Sequence, residues 1–392
     1  MVATQEREGA RTSTSPPPQD AEALFKEARQ RERRRRMAWI GVIAVAALVI
    51  SLIVALVGAS PSSPRAMPTA STGGPSPKVI SGGMPSEIVA WSNAGTIEVL
   101  SAHNGHVIRT LAPYNGEGRG ISSLAVSISG ILYFDETTRG KHGLPVAVIN
   151  RVPVAGGAVR LFAQGCDPAV SPDGRFLAYV TGLAACTPGY AAPEAITVTN
   201  LVTGQRRSWP SSPWATLDSL SWSSDSRYLS LHRETGQPPE YVNSYLILDR
   251  TARPGSLRVA HLIPLPSSTG PYSLPGDIAW VGFLGSSKGG LEGVGQVTSG
   301  AGVPVKLVAL NGSSGRVLGN LASLPNGIFN GGGGGPIVGT VPTDPTGKFL
   351  LLVGRDGGGA ATNTLYRWSI GDDQPTLVAK GVVGGVWVPN GA

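Results

Sequence analysis

Residues 167–180 read Asp167-Pro168-Ala169-Val170-Ser171-Pro172-Asp173-Gly174-Arg175-Phe176-Leu177-Ala178-Tyr179-Val180. Ser171 to Gly174 spell a tight reversal: proline holds φ near −65° at the second position, aspartate tolerates the third, and glycine accepts a positive φ. Apolar, β-branched or aromatic runs on both sides turn that reversal into a β-hairpin. The phrase recurs at Leu220–Leu231, with Ser223-Ser224-Asp225-Ser226 as its turn, and at Ile337–Val353, around Asp344-Pro345-Thr346-Gly347. Weaker copies begin at Leu124 and at Asp277. Behind each hairpin come a third run, a glycine-bearing turn and a fourth run, as in Ile196–Leu201 and Gln205–Trp209. Four antiparallel strands repeated every few tens of residues make propeller blades.

The two ends fix the blade count. From Glu87 the chain supplies only strands two to four of a blade, at Ile88–Trp91, Thr96–Leu100 and His106–Leu111. It finishes on a lone first strand, Val383–Val388. That strand completes the opening blade and leaves no sheet edge bare. The expected fold is an all-β, six-bladed β-propeller over residues 87–392, closed by its last strand.

The Ser-Pro-Asp-Gly phrase and its copies resemble the TolB-like, WD-repeat-like β-propeller repeat of bacterial envelope proteins. The resemblance covers the propeller, not the separate N-terminal domain of TolB proteins. It implies an extracytoplasmic β-propeller.

Composition agrees with an all-β chain. The 54 Gly and 32 Pro weaken helix interiors, while 41% hydrophobic residues in punctuated runs argue against general disorder. One helix is nonetheless expected, because Met37–Gly58 is 22 residues without a charge. That is roughly 33 Å of helix, enough to cross a hydrocarbon core of about 30 Å. Arg33 to Arg36 abut its N-terminal end, which puts residues 1–36 in the cytoplasm and the rest outside. A cleaved signal peptide is the competing reading, but residues 1–36 make a poor n-region. Residues 59–86 form a Pro/Ser-rich tether that cannot bury a core. The expected localisation is therefore the cell membrane, single-pass, with the propeller outside.

Charge excludes nucleic acid as a partner. The net +7 includes +3 in residues 1–36, from nine Lys/Arg and six Asp/Glu, and the remainder is dilute. Loop lengths point to recognition: turns between strands one and two, and three and four, are mostly tight, whereas the other connections are long. These are Ala112–Gly120, Glu136–Leu144, Thr181–Glu194, Pro210–Leu217, Arg233–Asn243, Pro264–Gly276, Ala322–Pro336 and Arg355–Asn363. They bring Tyr114, Arg139, His142, Tyr190, Trp214, Tyr241, Tyr272 and Phe329 to one rim, where tyrosine and tryptophan serve as interface anchors. The partner expected is an envelope protein or a cell-envelope glycan.

Cys166 and Cys186, the only cysteines, flank the Asp167–Val180 hairpin on that side and are expected to pair outside the membrane. No catalytic set is evident: Gly285–Gly289 spells a nucleophile elbow without its strand–turn–helix setting. The alternative is a cation-dependent hydrolase or lyase at the channel mouth, with Ca²⁺ held by Asp167, Asp218 and Asp277 at the starts of three inner strands.

Overall fold

The computed structural model describes residues 84–92, 95–112, 120–139, 145–182, 194–212, 215–237, 240–263, 278–283, 291–297, 306–313, 316–323, 348–355, 363–372 and 374–390. All belong to the compact unit Ser76–Ala392. Residues 1–83, including Met37–Gly58 and most of the expected tether, lie outside them. Among the described residues no helix is long and apolar enough to cross a membrane.

The protein is an all-β, six-bladed β-propeller, with one antiparallel sheet per blade. Blade 1 holds β1 (Glu87–Ser92), β2 (Ile97–Ser101) and β3 (Val107–Ala112). Blade 2 holds β4 (Leu124–Val126), β5 (Ile131–Arg139), β6 (Pro145–Pro153) and β7 (Arg160–Gln164). Blade 3 is β8 (Cys166–Val170), β9 (Phe176–Gly182), β10 (Glu194–Asn200) and β11 (Arg206–Pro210). Blade 4 is β12 (Ala215–Trp222), β13 (Tyr228–Gln237), β14 (Glu240–Asp249) and β15 (His261–Ile263). Blade 5 is β16 (Ile278–Phe283), β17 (Glu292–Val297), β18 (Lys306–Asn311) and β19 (Val317–Ser323). Blade 6 shows β20 (Phe349–Arg355), β21 (Asn363–Ser369) and β22 (Thr376–Lys380). Its expected first strand, at the start of Ile337–Val353, lies outside the described residues.

The last strand, β23 (Val382–Trp387), completes blade 1. It runs antiparallel to β1 with Ile88 opposite Trp387, Val89 opposite Val386 and Trp91 opposite Gly384. Val388 N–H extends the ladder by donating to the Glu87 carbonyl, 3.0 Å away. The first strands β4, β8 and β12 contact their successors around the ring, and β23 contacts β4, so these strands line the axis.

Side chains on a strand alternate between its faces, and here both faces are buried. In β1, Ile88 and Ala90 pack against blade 6, while Val89 and Trp91 pack against blade 2. In β20, Leu350 and Leu352 face blade 5 while Leu351 faces blade 1. Apolar clusters accordingly fill all six spaces between neighbouring blades. That double burial explains why the strand runs read as nearly continuous apolar stretches.

Connections between strands one and two, and three and four, share one face, the turn face; most are tight, but β14 and β15 are joined by residues 250–260 with a short 3-10 turn at Leu257–Val259. Ser171 Oγ accepts the Phe176 N–H at 2.9 Å, and Gly174 adopts φ +67°. Ser223 repeats this with the Tyr228 N–H at 2.9 Å.

The opposite, loop face departs from expectation at three connections. Glu136–Leu144 is not wholly a loop, because β5 continues to Arg139, which pairs with Pro145. Arg233–Asn243 is mostly ladder, from Arg233 opposite Ser244 to Gln237 opposite Glu240. Pro210–Leu217 is a short connection, since β11 ends at Pro210 and β12 begins at Ala215. Threonine, valine and tyrosine in these stretches favour extended backbone.

Gly384 decides whether the ring can close, because a Cβ there would overlap the Trp91 ring. Gly384→Val is expected to lower the melting temperature by about 5 °C or more. It should also raise hydrogen exchange in β1 above that in β9 and β13; both are measurable on the purified chain.

Candidate functional site

The described polar residues that converge do so near the loop-face ends of the inner strands in blades 2 to 4. Asp135, near the middle of β5, is 2% exposed yet fully bonded. Its Oδ1 accepts from Ser122 N at 2.9 Å and Ser123 N at 2.8 Å; its Oδ2 accepts from Ser122 Oγ at 2.7 Å and Asp167 N at 2.9 Å. Asp167 passes the link onward, its Oδ2 accepting the Leu220 N–H at 2.9 Å. Ser221 Oγ then accepts the Phe283 N–H at 3.2 Å. Glu194 adds a parallel tie from blade 3 to blade 4, its Oε2 accepting the Leu217 N–H at 2.6 Å.

The inner-strand donors are exposed by bulges. β8 slips register between Cys166 and Ala169, and β12 between Asp218 and Ser221. Asp167 (φ +52°) and Ser219 (φ +57°) take the left-handed conformation there. A bulged residue leaves the ladder unpaired, so neighbouring N–H groups turn toward the adjacent blade.

A second row crosses blade 4. His232, on β13, pairs across the ladder with Asp218 on β12 and Tyr245 on β14. Its Nδ1 lies 3.0 Å from Asp218 Oδ1 and its Nε2 lies 3.1 Å from Asn243 Oδ1. Burial pulls the imidazole down, but the bond and charge of Asp218, then Asn243 and Glu234, leave its pKa raised. Both ring nitrogens are engaged, so the imidazole offers no free nitrogen to a ligand. Tyr245, stacked 5.0 Å from the imidazole, is pushed up to about 12 by burial and by Asp218.

Asp167 is the most perturbed carboxyl. Burial raises it to about 7, the Leu220 N–H opposes that, Asp218 and Asp135 raise it further, and Ser123 opposes.

Asp167 and Asp218 do not occupy equivalent positions on their strands. Aligned on the turn serines Ser171 and Ser223, Asp167 matches Ser219, while Asp218 matches Cys166. A one-residue offset sends side chains to opposite faces of a strand. The structure therefore ties Asp167 to Leu220 and Asp218 to His232, and Asp277 lies outside the described residues. Among the described residues no group of three His, Cys, Asp or Glu side chains is placed to hold a metal ion.

Of the eight rim residues, Arg139 ends β5 and Tyr241 lies in β14 opposite Gly236. Tyr114, His142, Tyr190, Trp214, Tyr272 and Phe329 lie outside the described residues. Cys166 is buried at 1% exposure, and Cys186 lies outside them.

The sequence reading missed Asp135, Glu194, His232 and Asn243. Asp135 and His232 had a legible signal: each is the polar residue directly after the apolar-rich start of a second strand, Leu132–Phe134 and Leu229–Leu231.

The chain matches no protein-family model and no curated protein. Among solved structures it is similar to a putative TolB from Agrobacterium tumefaciens, at 14% identity and a TM-score of 0.44, covering 79% of this chain and 93% of that one. It is also similar to the β-propeller domain of the Trilobed protease from Pyrococcus furiosus, at 16% identity and a TM-score of 0.41, covering 70% and 76%. A third likeness is to prolyl endopeptidases, at 14% identity and a TM-score of 0.45, covering 74% of this chain and 45% of that one.

The two perturbed groups give stability a pH dependence. A carboxyl raised from 3.8 to about 7 contributes stability below pH 3.8 that is lost as pH rises toward 7. A raised histidine contributes stability below pH 6.5 that is lost as pH rises through its folded value. Asp167→Asn keeps an acceptor for Leu220, and asparagine tolerates positive φ. It should melt higher than wild type at pH 8 and no higher at pH 3.5, as calorimetry would record.

Proposed function

We propose that the chain is a membrane-anchored, extracytoplasmic, non-catalytic recognition scaffold whose loop face binds an envelope protein or a cell-envelope glycan. One observation carries the reading: in blades 2 and 4 the second and third strands run on as paired ribbons on the loop face. The blade 4 ribbon reaches Gln237 opposite Glu240, beyond the end of β12 at Ala215 opposite Thr235, and Val242 within it is 46% exposed. Ribbons stiffened by ladder hydrogen bonds bind at a lower ordering cost than free loops. The Asp135–Asp167–Leu220 links beneath them hold adjacent blades in fixed relation.

In this reading Met37–Gly58 is the anchor and residues 59–86 hold the propeller off the membrane. Cys166 and Cys186 pair and tie down the Thr181–Glu194 connection. Intact mass of the unreduced, alkylated protein should be lighter than the reduced form by two hydrogens with no alkyl added; two alkylated thiols would remove the bridge.

A second reading, a cation-dependent hydrolase or lyase, is favoured by the raised Asp167 carboxyl beside Asp218, since perturbed carboxyls gather at catalytic sites. Calcium or zinc titrated into the purified chain, with binding lost in Asp218→Ala, would favour it over recognition.

Replacing Gly236–Tyr241 by a two-residue Asn-Gly turn tests the principal reading. Capture of partners from envelope extract should fall at least tenfold while the melting temperature moves by only about 2 °C. Unchanged capture after shortening this ribbon and the Thr138–Val146 ribbon together would overturn it.

A further inference from the structure

The turn face carries its own chemistry at blades 3 and 4. The turns Ser171–Arg175, Leu201–Gln205, Ser223–Arg227 and Arg250–Ala260 all open on it. Arg175, Arg206, Arg207, Arg253 and Arg258 are exposed there, and none enters an ion pair among the described residues. Two more arginines build the platform. Arg250 lies 4.1 Å over the Phe176 ring and donates Nε–H to the Ser226 carbonyl at 2.7 Å. Arg227 is paired with Asp249 at 2.8 Å.

The network draws these residues together. Arg207 donates to the Arg250 carbonyl at 3.3 Å, and Trp209 Nε1–H to the Arg253 carbonyl at 3.2 Å. The acids interleaved at these blades are Asp173, Asp225 and Asp249. Asp173 and Asp225 each accept a local N–H, from Arg175 and Arg227 at 3.0 Å. Seven guanidiniums against three carboxylates leave the surface cationic. The loop-face half of the same blades is acidic by contrast, with Asp167, Glu194, Asp218 and Glu234 against Arg233.

The chain reaches the propeller on this same turn face. Ser86, just before β1, accepts the N–H of Ala102 at 2.8 Å, and Ala102 opens the turn between β2 and β3. Ser86 therefore lies on the same side of the ring as the arginines.

We infer that the turn face of blades 3 and 4 is an electrostatic docking surface for anionic phospholipid headgroups of the membrane that carries the chain. The inference rests on the membrane-anchored reading above. Planar guanidiniums match phosphate oxygens bidentately, and each basic residue near an anionic surface adds attraction that salt screens. With the turn face held to the membrane, the ribbons point outward toward the partner.

The test places a donor fluorophore at Val202→Cys, 76% exposed at the tip of the turn between β10 and β11. The full chain is reconstituted into vesicles of phosphatidylcholine alone, or of phosphatidylcholine with phosphatidylglycerol, carrying a headgroup acceptor. Energy transfer should be high only with phosphatidylglycerol and should vanish in about 1 M salt, where the Debye length is about 3 Å. Replacing Arg175, Arg206, Arg253 and Arg258 by glutamine, each worth about fivefold in docking, should reduce transfer to the phosphatidylcholine level without lowering the melting temperature. Equal transfer in both vesicles, or transfer that survives high salt, overturns the inference. Transfer abolished by a soluble polyglycerol phosphate at low salt also overturns it, because the face would then prefer a wall polymer. Alkaline extraction keeps the two claims apart: a chain that washes off the vesicles defeats the anchor, whereas one that stays without transfer defeats only the docking.

Discussion

Every blade of this protein is greasy on both sides, and that constraint governs the rest. A sheet with one wet face can stand at the edge of a domain; a sheet whose strands alternate Ile88 and Val89, or Leu350 and Leu351, between two interfaces cannot. Each blade needs a neighbour on either side, so the array must return on itself. The antiparallel pairing of β1 with β23 makes the return, and Gly384 leaves the room that Trp91 needs.

Closure by apolar packing alone would leave the blades free to slide. The polar links at the inner strands supply the register. The carboxylates of Asp135, Asp167 and Glu194 each take an N–H from the next blade, and for Asp135 and Asp167 the donor sits in a bulge of the inner strand. Burying carboxyls in this way costs solvation, which the raised Asp167 records. The same carboxyls therefore tie neighbouring sheets together.

The disc that results has two unlike faces. One bears tight turns, the chain's approach to β1 and a field of arginines; the other bears paired ribbons above a row of carboxyls. A rigid ring between them keeps the two chemistries apart.

The sequence alone was enough for the six-blade repeat, because Ser-Pro-Asp-Gly turns and the short, nearly continuous apolar runs beside them are local signals. The closing strand was legible for the same reason: Val383–Val388 is a strand pattern without a hairpin partner. Tertiary structure decided what lay between those signals. Arg233–Asn243 became ladder instead of loop because pairing across a ribbon depends on the opposite strand, which no single stretch encodes. Asp167 and Asp218 parted company because they stand four and five residues before their turn serines Ser171 and Ser223, an offset of one that sends their side chains to different neighbours. The arginines, scattered over more than eighty positions from Arg175 to Arg258, became one surface only when four separate turns were brought to the same side of the ring.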